Sequence, residues 1–123
     1  MDPITEFQSL FDRYVAAYRS GDAAGCAALF TENAQMHSPY APPAHGRSEI
    51  EAVHRDWTSD DVSGKEVVVL EAGMSGDLAW CLAEFREDAT TDEGTSLNLL
   101  ERQKDGNWLI RVCSLNEAFA PEG

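Results

Sequence analysis

Arg13-Tyr14-Val15-Ala16-Ala17-Tyr18, followed by Gly21-Asp22, Ala28-Leu29-Phe30 and Pro39, reads as a helix, a tight turn, a second short helix and a strand that stops at a proline. Working outward, Asp2 can cap the first helix. Pro3 stands at its first position, where a missing N–H costs nothing. Ile4, Phe7, Leu10, Phe11, Tyr14, Val15 and Tyr18 recur at helical spacing and form one apolar stripe. Ser20-Gly21-Asp22 ends this helix, and Asp22 can cap the next. Ala23, Cys26, Ala27 and Phe30 give the second helix a small-residue face suited to close packing. From Asn33 to Ser38 the residues alternate, Ala34 and Met36 on one side and Gln35 and His37 on the other, which predicts a short strand.

Ser38 to Gly46 carries three prolines and Tyr40, and reads as a loop at a pocket rim. Ser48 with Glu51 fits a capping box. The helix behind it places Ile50, Val53, His54 and Trp57 on one face. Asp60 to Gly64 reads as a turn, after which the period changes from helical to two. Lys65 to Ala72 contains Val67-Val68-Val69-Leu70, a β-branched run expected to be buried on both faces. Leu78–Glu87, Thr95–Lys104 and Trp108–Asn116 are three further strands. They are separated by Gly73–Asp77, Thr91–Gly94 and the hairpin signal Asp105-Gly106, and Glu117 to Gly123 reads as a loose tail. Helices first and a meander afterwards predict an α+β fold, one domain over residues 1–123, with the helices covering one face of a strongly bent sheet. The last strand is apolar on both parities, with Trp108, Ile110 and Val112 on one and Leu109, Cys113 and Leu115 on the other. A second copy against the outer sheet face would cover the exposed set, so a homodimer is expected.

The totals narrow the function classes. A chain of 123 residues with 43% apolar content suits one core. No run of about 18 apolar residues could cross a membrane, and Met1-Asp2-Pro3 does not begin a secretory signal. The three cysteines, Cys26, Cys81 and Cys113, lie far apart and form no CxxC pair. They read as small buried apolar residues in a reducing, cytoplasmic setting. A net charge of -13 repels phosphate backbones and anionic lipid, so neither nucleic acid nor a membrane surface is an expected partner. His37, His45 and His54 lack metal-ligand spacing. Gly64-Lys65 lacks the upstream glycine of a phosphate loop, Gly73-Met74-Ser75-Gly76 is not a nucleophile elbow, and Asp88 to Asp92 lacks the alternating oxygens of a calcium loop. No metal or organic cofactor is expected.

Taken together, the Tyr14 helix, Gly21-Asp22, Ala28-Leu29-Phe30, the Pro39 loop, Gly46-Arg47, Gly76-Asp77-Leu78-Ala79-Trp80 and Asp105-Gly106-Asn107-Trp108 resemble the nuclear transport factor 2-like superfamily, in its SnoaL-like and ketosteroid isomerase-like branch. The resemblance extends over nearly the whole chain. It implies a cone-shaped, strongly curved, mixed or antiparallel sheet covered on its concave face by three N-terminal helices. It also implies an apolar pocket for a small organic ligand.

In the isomerases of this branch a carboxylate moves a proton beside a carbonyl, while a tyrosine and a protonated aspartic acid stabilise the enolate oxygen. By resemblance, Tyr14 stands at the oxyanion tyrosine and Asn98 near the second donor. The position of the base, before the proline, is Ser38, whose hydroxyl has no accessible pKa for that task. The resemblance also sets a strand parity that turns Trp80, Leu82 and Glu84 toward the pocket. Glu84 then becomes a candidate base with a raised pKa; the other reading has it facing outward and paired with Arg86 or Arg111. His37 has a suitable intrinsic pKa, but its parity points away from the pocket. Tyr18, Ser38, Tyr40, Trp57 and Trp80 are candidate ligand contacts, although tyrosines and tryptophans on apolar stripes also serve simply as core.

Two functions follow. One is a small-molecule pocket which, if catalytic, performs cofactor-free proton transfer of the isomerase or polyketide-cyclase type. There Tyr14 and Asn98 would polarise a carbonyl, and Glu84 or a bound water would move the proton. The alternative is a non-catalytic ligand-binding or association module. A hydrolase or dehydratase of the same fold would need a paired Asp/His or Asp/Arg set that these residues do not supply.

Overall fold

The computed structural model describes residues 2–59, 62–87 and 93–118. Its first helix, α1 (Pro3–Arg19), starts where Asp2 accepts the Thr5 N–H at 3.1 Å. Phe7, Leu10, Phe11 and Tyr18 of its apolar stripe are buried, while Ile4 stays exposed at the stripe's outer end. Gly21, at φ 73°, turns the chain. Asp22 then caps α2 (Ala23–Ala27) through the Gly25 N–H at 2.9 Å. This helix is shorter than its sequence suggests, because Phe30 already begins strand β1 (Phe30–Ser38).

The proline-rich stretch is a strand, not a loop: β2 (Ala41–His45) pairs antiparallel with β1, Met36 facing Ala44 and Ser38 facing Ala41. Prolines fit there because β2 is an edge strand and because the register shift between Met36 and Ser38 sets Pro42 and Pro43 together opposite His37, outside the regular ladder. Helix α3 (Arg47–Trp57) follows from Gly46 at φ 88°, a left-handed conformation that favours glycine. The capping box does not form. No side chain caps this end; Glu51 instead pairs with Arg55 at 2.7 Å, and Glu49 accepts the His45 N–H at 2.9 Å.

Four strands complete the chain: β3 (Glu66–Ser75), β4 (Leu78–Arg86), β5 (Glu93–Arg102) and β6 (Trp108–Glu117). They form an antiparallel meander, and β6 then pairs in parallel with β1. The result is one open, mixed six-stranded sheet in the order β2-β1-β6-β5-β4-β3. The turns expected at Asp60–Gly64 and Thr91–Gly94, and the tail Glu117–Gly123, fall partly outside the described residues.

One face of this sheet is buried: Ala34, Met36, Ala44, Val67, Val69, Ala79, Cys81, Ala83, Phe85, Ser96, Asn98, Leu100, Trp108, Ile110 and Cys113. The other face is not. Val68 and Leu70, expected to be buried on both sides, are 51% and 42% exposed, because the helices cover a single face of β3. A register shift after Val69 interrupts strict alternation on this strand.

The free edge of β3 is closed by a side chain from α1. The Gln8 carboxamide donates to the Val67 carbonyl at 3.0 Å and accepts the Val69 N–H at 2.7 Å, so it stands in for a strand residue. At the far end of the core, Phe7 packs edge-on against Trp108, whose indole N–H donates to Glu6 at 3.1 Å. All three cysteines are free and buried. Burial lifts their thiols to about 12 (Cys26), 11 (Cys81) and 12 (Cys113), which suits packing groups and not nucleophiles.

Candidate functional site

Small residues on the inner side of the sheet leave room beneath the helices. Ser96 on β5 and Cys113 on β6 are two such residues. Between the inner side of the sheet, α1 and α3 lies a cavity of about 490 Å³, within the usual range for small-molecule sites. Phe11, Tyr14 and Tyr18 line it from α1, and Trp57 and Asp56 from α3. Met36, Tyr40, Val67, Phe85, Ser96, Ile110 and Cys113 complete most of the remaining wall.

The sequence-derived candidates divide. Tyr14, Tyr18, Tyr40 and Trp57 all line this cavity. Ser38 is half-buried at the end of β1, and its hydroxyl accepts the Tyr40 N–H at 3.2 Å, which shapes the bend into β2. Asn98 faces inward in one row with Cys81 and Cys113, its neighbours on β4 and β6. The strand parity expected for β4 is reversed. Ala79, Cys81, Ala83 and Phe85 point inward, whereas Trp80 is 46% exposed and Glu84 is exposed on the outer face. Neither Trp80 nor Glu84 reaches the cavity from that face, so Glu84 does not stand there as a base. The Trp80 indole lies against Gly73 of β3, where an added Cβ would meet its Nε1 at 2.6 Å. His37 turns away from the cavity, as its parity suggested, and bonds Gln35 at 3.2 Å.

Two polar arrangements in the cavity region were not anticipated. The first joins α1 to α3. His54 is fully buried, 2.8 Å from the Tyr14 hydroxyl through Nε2 and 2.8 Å from the Ile50 carbonyl through Nδ1. A carbonyl oxygen can only accept, so Nδ1 carries a proton. The rings of Tyr14, Tyr18, Phe30 and Trp57 surround the imidazole. This burial pushes its pKa from 6.5 down to about 4; the nearby Lys65 charge acts in the same direction, while the Ile50 bond opposes them. His54 is therefore neutral at pH 7, Nε2 bears a lone pair, and Tyr14 donates its hydroxyl proton to it. Burial also holds the Tyr14 phenol well above its ordinary pKa of 10.

The second arrangement is an ion pair. The Lys65 side chain, 6% exposed, donates to Glu87 at 2.7 Å. Its ammonium lies 4.4 Å from the centre of the Tyr18 ring and 5.1 Å from that of Phe85, which offsets part of its desolvation. Glu87 also accepts from the Tyr18 hydroxyl at 3.3 Å. Both charged residues line the cavity. The signal was present in the sequence as a lone lysine opening one strand and a glutamate closing the next. Their facing depends on the register of β3 against β4, where Glu66 opposes Arg86.

An open, mixed six-stranded sheet under three helices, hollow at its aromatic centre, defines the nuclear transport factor 2-like class of α+β domains. A family model described as SnoaL-like domain matches residues 11–111, and the chain belongs to that family. Among solved structures, a domain of unknown function with a cystatin-like fold from Nostoc punctiforme PCC 73102 superposes with a TM-score of 0.80 at 21% identity, covering 94% of this chain and 77% of that one. A ketosteroid isomerase-like protein from Erwinia carotovora atroseptica SCRI1043 gives 0.78 at 17% identity, covering 97% and 98%. An NTF-2-like protein of unknown function from Shewanella oneidensis MR-1 gives 0.76 at 18%, covering 93% and 98%. At these identities the structures share the fold. No curated protein matches the sequence. Among the described residues, no helix is long and apolar enough to cross a membrane.

Proposed function

We propose that this SnoaL-like domain binds a small, largely apolar organic molecule in the cavity between α1, α3 and the sheet. The observation that carries this reading is a hollow of about 490 Å³ walled by Phe11, Tyr14, Tyr18, Tyr40, Trp57 and Phe85, with a small number of polar groups along it. Such a combination suits a flat ligand held by ring contacts and oriented by a few hydrogen bonds. Lys65 and Glu87 neutralise each other. A cofactor-free proton transfer in this cavity has less support. The position before Pro39 is a serine, and Glu84 lies on the other side of the sheet. Binding without catalysis is the better-supported of the two readings.

Titration calorimetry with 2-naphthol as probe should show saturable binding at one site per chain. Cys113→Phe, which extends a ring into the hollow, should abolish it while leaving the far-ultraviolet circular dichroism unchanged. Undiminished binding by that variant would move the site elsewhere.

A second reading concerns assembly, and the outer sheet face supports it. Val68, Leu70, Leu78, Trp80, Leu97 and Leu99 are each between 38% and 52% exposed on neighbouring strands. A continuous apolar patch of this kind on a soluble domain marks an interface, and a second copy presenting the same face would cover it symmetrically. Trp80→Glu combined with Leu97→Glu should convert a sedimenting dimer into a monomer without loss of helix or strand signal. Wild-type protein sedimenting as a monomer at high concentration would rule the homodimer out.

A further inference from the structure

Tyr14 occupies the place from which an oxyanion-stabilising tyrosine would donate to a ligand oxygen, yet its only hydroxyl proton is already committed. The chain of bonds is fixed from its far end. The Ile50 carbonyl requires a proton on His54 Nδ1, and a neutral imidazole so protonated offers only a lone pair at Nε2. Every ring packed on His54 is uncharged, the charge that acts on it is the cation Lys65, and Asp56, two positions along α3, makes no hydrogen bond or ion pair with the imidazole. None of these supplies a carboxylate that would favour a second proton.

One inward-facing polar side chain of the sheet, which does not itself line the cavity, has the same bias. Asn98, aligned with the second oxyanion donor, turns its amide nitrogen to Ser96 Oγ at 3.0 Å and to the carbonyls of Ser96 and Cys81 at 3.4 Å. Its Oδ1 is left buried and unpartnered. Those two carbonyls fix the orientation of the amide, since the opposite one would set oxygen against oxygen. Tyr18 directs its hydroxyl to Glu87. The wall also carries donors away from Tyr14, among them Lys65, shared with Glu87, the Ser96 and Tyr40 hydroxyls and the Trp57 indole N–H, so the bias belongs to the Tyr14 position.

From this geometry, and resting on the reading of the cavity as a ligand site, we infer that His54 inverts the hydrogen-bonding sense of Tyr14, so that the Tyr14 position selects neutral ligands presenting a hydroxyl or N–H donor to its oxygen and discriminates against a carbonyl placed there. The ligand class is an aromatic or polycyclic alcohol, phenol or amide N–H compound. A ketone or enolate would confront two sets of lone pairs with no proton between them.

The test compares three naphthalene probes at pH 7, namely 2-naphthol, 2-methoxynaphthalene and 2-acetylnaphthalene. Wild-type protein should bind 2-naphthol at least about fivefold more tightly than either acceptor-only probe, the value of one hydrogen bond. Tyr14→Phe should bring the three affinities together. His54→Phe, which releases the Tyr14 proton, should raise affinity for 2-acetylnaphthalene about fivefold and reverse the order. Because that variant removes a buried group, the nitrogen-15 spectrum of the wild-type imidazole provides an independent readout, with Nδ1 protonated and Nε2 unprotonated at pH 7. Binding with the ketone preferred overturns this inference and leaves the cavity reading standing. An imidazole protonated at Nε2 overturns it whatever the probes do. Failure of all three probes to bind overturns both.

Discussion

Stability should fall by about 3 kcal/mol as the pH drops from 7 to 4, through His54 alone. The imidazole titrates near 6.5 when exposed and near 4 in the fold. Each unit of that difference corresponds to about 1.4 kcal/mol. Between the two values the unfolded chain binds a proton that the folded chain refuses, so acid favours unfolding across this window. The contribution is fully present above pH 6.5, declines as pH falls, and is exhausted below about 4, where both states carry the proton. The geometry explains why the fold resists protonation. A second ring proton would point at the Tyr14 hydroxyl inside an aromatic enclosure that offers the imidazolium no carboxylate. Urea unfolding at a series of pH values should show this slope in wild-type protein. His54→Phe should remove most of it between pH 6.5 and 5, where few carboxylates titrate. A variant with the same slope as the wild type would show that His54 is not the group responsible.

The second large effect concerns Lys65 and Glu87, and it should be asymmetric. Glu87→Gln leaves a buried ammonium facing the rings of Tyr18 and Phe85 without its counter-charge, and breaking a buried pair in this way costs about 3–5 kcal/mol. Glu87 retains 27% of its side-chain exposure, and screening there brings the expected loss to about 2–3 kcal/mol. Lys65→Met should cost less, because the carboxylate left behind still reaches solvent and keeps the Tyr18 hydroxyl. Lys65→Met with Glu87→Gln should be more stable than Glu87→Gln alone. Denaturant titrations of the three variants form a double-mutant cycle. Equal losses for the two single variants, adding in the double, would show that the pair is not coupled in the fold.

The helical half of the molecule was legible because its residues report on themselves. The stripe from Phe7 to Tyr18, the Asp22 cap and the inward face of α3 at Ile50, Val53, His54 and Trp57 all follow from local spacing. The four C-terminal strands were legible for the same reason, mostly within a residue or two; β3 runs three residues past Ala72, to Ser75, into the stretch read as a turn, and Thr91–Gly94 and the tail beyond Glu117 lie partly outside the described residues. The misreadings arose where local chemistry and global position disagree. Two adjacent prolines argue against a strand in general, yet an edge with a register shift accepts them, and only the sheet order and pairing reveal both. On β4 the resemblance turned Trp80, Leu82 and Glu84 inward, whereas the inward set is Ala79, Cys81, Ala83 and Phe85; alternation alone does not say which of two sets faces the helices.

The cavity's polar groups were the least legible part. Tyr14 and His54 are separated by 40 positions, and Lys65 and Glu87 by 22. Counting outward from the pairing of Ser75 with Leu78 would set Lys65 opposite Asp88. The register shift after Val69 moves the partner to Glu87. A bulge of this kind leaves no firm mark in the sequence, and it decides which carboxylate meets the lysine.

The two borders of the sheet have a consequence for how this chain behaves in a crowded solution. On one side Pro42 and Pro43 withhold the amide protons that an incoming strand would need; on the other, Gln8 already occupies the carbonyl and N–H that such a strand would seek at Val67 and Val69. Fibril-type growth, which proceeds by adding one backbone after another along a lengthening ribbon, finds no free docking line at these positions. Resistance to that kind of growth therefore rests on a glutamine and two prolines on opposite borders of the sheet.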